Sequence, residues 1–148
     1  MRALPGALLV LLAAAGCATA IQGTPVPAAE AAPNRDLVNR YFTDLNEAGK
    51  EGYSAQRDFL RRTQHPDFTS DCDLGGLTLR IEPALSTLRA DPKWKPEKST
   101  KRPRGDIYVV GVSVRIRRDS ATLAEQIGSQ RVVVLDGKAY GFTPCPTR

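Results

Sequence analysis

A chain of 148 residues with 21 Lys or Arg against 16 Asp or Glu, and so a net charge of +5, has room for one domain with its own core. A single histidine and three cysteines leave no set of soft ligands at metal-binding spacing, so neither a metal nor another cofactor is expected. A G-x-S-x-G elbow, S-x-x-K, a phosphate loop and a dinucleotide fingerprint are all missing, which removes the enzyme classes that carry a local motif. An acid–base pair assembled from distant positions would leave no such trace.

The chain opens with one charge, Arg2, followed by the apolar run ALLVLLAAA at residues 7–15. A positive tip, a short apolar stretch and then small residues are the pattern of an export signal, too short for a membrane span of about 20 residues. Cleavage after Ala18-Thr19-Ala20 would release a soluble secreted protein beginning at Ile21. The alternative is Ala14-Ala15-Gly16-Cys17, which resembles the lipobox of bacterial lipoproteins. That resemblance implies a signal peptide at residues 1–16, a diacylglycerol on the Cys17 sulfur and a membrane partner reached through the lipid. It places the protein outside the cytoplasm, anchored to the cell membrane. An uncleaved anchor is the third option. Residues 17–33 continue as a Pro- and Ala-rich stretch without apolar period, an extended tether rising about 3.1 Å per residue.

Residues 34–148 form the domain. Leu37, Val38, Tyr41, Phe42 and Leu45 fall on one helical stripe, with Asn34 as N-cap and Gly49 as stop. A second helix is expected from residue 54 to about 64, with Phe59 and Leu60 inward and Arg57, Arg61 and Arg62 outward, ended by Pro66. Gly75-Gly76 reads as a turn, and residues 77–81 as a short extended piece. Residues 91–106, DPKWKPEKSTKRPRGD, form a stiff Pro-rich loop in which Lys93, Lys95, Lys98, Lys101, Arg102 and Arg104 surround Trp94. Three readings suit it: a solvated loop with Trp94 folded back on the core, a surface for anionic lipid headgroups, or a grip on an acidic envelope polymer or protein. Arg115, Arg117, Arg118 and Arg131 would extend the basic face if the strands align. Nucleic acid is not an expected partner, because export removes it.

In IYVVGVSVRIRR the even positions Tyr108, Val110, Val112, Val114 and Ile116 make one apolar face, while the odd positions grade from Ile107 and Val109 to Arg115 and Arg117. Gly111 in its middle suggests a bend or bulge. Asp119-Ser120 is a turn. ATLAEQIG could start a short helix capped by Ser120, but the β-branched run that follows favours a strand. Asp136-Gly137 is a hairpin signal leading into residues 138–143. In an oxidising compartment Cys72 and Cys145 read as one disulfide closing a long loop, worth up to about 4 kcal/mol on the chain-entropy account, with a reactive free thiol as the alternative.

Two helices followed by antiparallel strands give an α+β domain, with the helices on one face of a curved sheet. The stretches VNRYFTDLNEAG, TQHPDF and VVVLDGKAYGF resemble members of the nuclear transport factor 2-like (SnoaL-like) superfamily, a cone of curved sheet around helices; a cystatin-like or other α+β sheet is the rival. The resemblance implies a pocket between sheet and helices, which some members use for aldol cyclisation, isomerisation or dehydration with Asp and His. The candidate pair here is His65 and Asp67. The structural alternative has His65 satisfying carbonyls at a helix C-terminus and Asp67 opening a turn. The family's acidic and histidine positions lie mostly on the sheet, where this apolar strand face has neither. The function expected from the sequence is therefore a membrane-anchored, non-enzymatic envelope lipoprotein binding a small apolar ligand or an envelope protein. The alternatives are a small cyclase- or isomerase-type enzyme and an anionic-surface module working through residues 93–104.

Overall fold

The computed structural model describes residues 32–71, 73–97 and 99–142. The expectations for the leader, Cys17, Cys72, Lys98 and Cys145 lie outside them, as does the tether except for residues 32–33, which are helical and not extended. Two helices, α1 (Ala32–Glu51) and α2 (Tyr53–Arg62), precede four strands: β1 (Thr78–Ala90), β2 (Asp106–Arg118), β3 (Ala121–Leu135) and β4 (Lys138–Gly141). The strands pair antiparallel in the order β1-β2-β3-β4, a plain meander, so the domain is α+β with the helices packed on the sheet.

The expected helix stripe is the core. Val38, Tyr41, Phe42 and Leu45 of α1 and Leu60 of α2 pack on Leu79, Ile81, Tyr108, Val110, Val112, Val114, Val132 and Val134. The even residues of β2 face the helices, as the alternation requires.

Helix α1 runs past Gly49 and stops at Gly52, whose φ of 124° is left-handed backbone that glycine tolerates. Gly49 serves a different purpose. A Cβ there would lie 2.5 Å from Nε2 of the fully buried Gln56, so its missing side chain makes room for that amide. Nor is Asn34 a cap: it sits inside α1, and its amide donates to the Tyr108 hydroxyl at 2.6 Å.

Strand β1 is longer than the expected piece at residues 77–81, because EPALSTLRA carries no alternation to mark it. Pro83 is tolerated since the odd residues here turn their backbone groups away from β2. The irregularity suggested by Gly111 is real but sits in the neighbouring strand. Between Ala84 and Arg89 β1 advances five residues while β2 advances two, and Thr87 Oγ1 accepts from the Gly111 N–H at 2.8 Å. Asp136 and Gly137, at φ 51° and 73°, form the expected two-residue hairpin turn between β3 and β4. The stretch 121–128 is strand, paired with β2 on either side of a bulge at Leu123.

Candidate functional site

The sheet has two unlike faces, and His65, Asp67, Trp94 and Arg104 gather on the face away from the helices. Ile107, Val109 and Val133 are buried there, and the Pro-rich loop meets the sheet where the Asp91 N–H donates to the Ile107 carbonyl at 2.8 Å and Gly105 passes against Val133. Trp94 meets the Phe142 ring edge-on at 4.7 Å, and the Arg131 guanidinium lies 5.0 Å from the Trp94 ring centre while also bonding Asp91. Trp94 is thus folded back on the protein. Lys93, Lys95, Lys101 and Arg102 stay exposed along the loop, but Arg104 is engaged, with two 2.8 Å hydrogen bonds to Asp67. Of the other arginines expected to extend the basic face, Arg115 is bound to Glu82 and Glu125.

His65 and Asp67 do not open on a shared cavity. His65 is fully buried, ringed by Phe68, Tyr140 and Phe142, the last stacked at 5.8 Å. Its Nδ1 accepts from the Asp67 backbone N–H at 3.2 Å, which puts the proton on Nε2, donated to the Arg104 carbonyl at 2.9 Å. Both ring nitrogens are spent on fixing the loop, and neither helix carbonyls nor the Asp67 carboxylate receive them. The Arg104 guanidinium holds the Asp67 carboxyl below the usual carboxylate range, leaving it a poor proton acceptor near neutrality. The pair is a brace between the end of α2 and the basic loop.

The opening lies on the other face. Opposite Val110, Val112, Val114 and Ile116 of β2, strand β3 presents Gln130, Gly128, Gln126 and Ala124, none of them large and apolar. Here the aliphatic side chains of β1 and β2 border a cleft of about 470 Å³. Leu79, Ile81, Val114 and Ile116 form its floor, Gln126 and Gln130 one wall, and Leu74 and Leu77 the lip. The lip is made by consecutive left-handed glycines, Gly75 at φ 62° and Gly76 at φ 77°. It is tied to α2 through Asp73, which accepts from the Tyr53 hydroxyl at 2.6 Å and from the Gly75 N–H at 2.8 Å.

Asp73 is the one ionisable side chain among the described lining residues. The cleft therefore offers aliphatic surface and two carboxamides, each able to donate and accept, to whatever enters it. No three His, Cys, Asp or Glu side chains converge as metal ligands among the described residues, and no described helix is long and apolar enough to cross a membrane.

No family model, curated protein or solved structure matches this chain.

The cleft residues were not singled out from the sequence, although a trace of them is there. In ATLAEQIGSQRVVVL apolar residues are unbroken from Val132 to Leu135, whereas before them the large ones, Leu123 and Ile127, stand only at odd positions. That change marks where the helix-side residues of β3 become small or polar.

Proposed function

We propose that this protein is an exported envelope lipoprotein, lipidated at Cys17, whose domain binds a small apolar ligand in the cleft between β1, β2 and the outer half of β3. The observation that carries the binding role is the cleft itself: an aliphatic floor with two amides at its wall, at a volume typical of small-molecule sites. The lining carries no acid–base pair among the described residues, and His65 is committed to the loop, so a binding role suits it better than catalysis. Helices followed by an antiparallel meander, with a bulge in β1, support the nuclear transport factor 2-like cone as the finer description of the fold.

The test is titration of a fluorescent fatty-acid analogue, with Ile116→Asp as the control. Ile116 is only partly buried, so the substitution is expected to leave the fold intact and to weaken binding at least tenfold by putting a charge on the apolar floor. Equal affinity in the two proteins, or no saturable binding, overturns the cleft as the site. Mass spectrometry of the mature protein tests the anchor: a diacylglyceryl-modified Cys17 is expected, and an unmodified chain beginning at Ile21 overturns it.

A further inference from the structure

The two long borders of the sheet are treated differently. Along β1, side chains of the helices take up the outward backbone groups. Gln56 donates to the Leu79 carbonyl at 2.6 Å and accepts its N–H at 2.7 Å; Asn46 does the same for Ile81, both at 2.8 Å. Arg35 reaches the Leu85 carbonyl at 3.2 Å. Along β3, strand β4 pairs only with Val132 to Leu135. Among the described residues no strand pairs with the rest of that border, and residues 121–129 are exposed throughout.

Which backbone groups are open follows from the register. Leu79 and Ile81 point their N–H and C=O at the helices, so their partners Ile116 and Val114 point theirs at β3. Ala124, Gln126, Gly128 and Gln130, opposite the even residues of β2, are therefore bonded inward. Glu125, Ile127 and Ser129 aim their N–H and C=O outward, at solvent. Inward of the bulge at Leu123 this border carries little of the usual protection: residues 124–130, AEQIGSQ, contain no proline and no lysine, and one charge, Glu125. It also carries the two large exposed hydrophobic residues of the described chain, Leu123 at 53 % and Ile127 at 90 % exposure.

We propose that this border pairs antiparallel with the same border of a second copy, about a two-fold axis at Gln126. The free stretch decides the centre. A register centred on Gln126 pairs the regular residues 124–128 with themselves and meets the bulge at Leu123 only beyond them, sets Glu125 opposite the second copy's Ile127, and leaves Ile127 beside its own copy across the diagonal. Gln126 faces Gln126 on the cleft side, where one carboxamide can donate to the other. Centring on Glu125 would oppose two carboxylates. Centring on Ile127 would bring Thr122 against Val132, whose border β4 already covers. The contact is self-complementary, as a two-fold interface must be. It joins two four-stranded sheets into one of eight strands and sets the two clefts side by side.

Sedimentation velocity of the full-length protein in mild detergent, over a concentration series, is expected to show a monomer–dimer equilibrium. Two variants break it while sparing the fold. Ile127→Lys puts a charge at an exposed position, and Ser129→Pro removes one outward N–H without touching a bond to β2. Each is expected to weaken the dimer at least tenfold with the melting temperature of the monomer unchanged. Amide exchange read by NMR gives an independent pattern. In the monomer Gln126 and Gly128 are slow while Glu125, Ile127 and Ser129 are fast; in the dimer all five are slow. A monomer at every concentration, a dimer that both variants leave intact, or a dimer whose Glu125, Ile127 and Ser129 amides still exchange fast overturns the proposal. Slowing produced only by a foreign extended peptide also overturns it and assigns the border to another protein's strand.

Discussion

Tyr41 shows how one buried side chain ties stability to pH. Its ring lies in the core against Phe42 and Phe59, in space that Gly141 leaves by having no side chain. Burial pushes the phenol from 10.0 up to about 12, opposed by a weaker effect from its hydrogen bond with Thr63. The folded-state value is raised, so the stabilisation is fully present below pH 10 and is lost as pH rises toward 12: the unfolded chain gives up this proton first. A loss on the order of 2 kcal/mol over that window is expected in the wild type. The Tyr41→Phe protein, compared by urea denaturation from pH 9 to 12, should have a correspondingly flatter profile; equal slopes would contradict the assignment. His65 makes a different point. From the sequence a lone histidine beside an aspartate reads first as a structural group and second as a catalytic pair. What decides is whether its two nitrogens are already satisfied, and that depends on Arg104, 39 positions away.

At the scale of elements, the distinctive device is the pair of carboxamides that finishes the β1 border. Gln56 is fully buried, and its amide serves three backbone groups: the Leu45 carbonyl at 3.1 Å and the Leu79 carbonyl and N–H. Replacing it by Leu would strand those groups away from water, at a cost of about 2–3 kcal/mol. Gly49→Ala should cost a similar amount by pushing the same amide aside. Because the two act on one contact, the double variant should lose clearly less than the sum of the two; additive losses in chemical denaturation would show that they act separately. The helix stripe, the even face of β2 and the Asp-Gly hairpin were legible in the sequence because each is set by local period or turn chemistry. The extent of α1 and of β1 was not. Gly49 reads as a stop until its neighbour Gln56 is in place, and residues 82–90, EPALSTLRA, show no alternation that would mark a strand.

Over the whole molecule, the outer face of the sheet is closed by a loop and the inner face is left open at one end. The chain leading to each late cysteine starts from one knot: the Gln64 side chain bonds both backbone groups of Ser70 at 2.8 and 2.7 Å, and on either side of Gln64 the His65 N–H donates to the Gly141 carbonyl at 3.1 Å and the Thr63 carbonyl accepts from the Gly141 N–H at 2.8 Å. Ser70 is two residues before Cys72 and Gly141 four before Cys145. A disulfide between them is expected to lower the intact mass by two hydrogens, and its reduction to cost up to about 4 kcal/mol. Full alkylation of both thiols in the unreduced protein would sink it. The sequence by itself determined the α+β order of elements, the face of β2 that meets the helices and the turn between β3 and β4, since these follow from spacings of a few residues. Only the tertiary structure decided that the lone histidine is a brace, that the basic loop lies on the back of the sheet, and that a cleft and an open border remain. Each of those depends on which distant groups meet, and no local pattern of side chains encodes that.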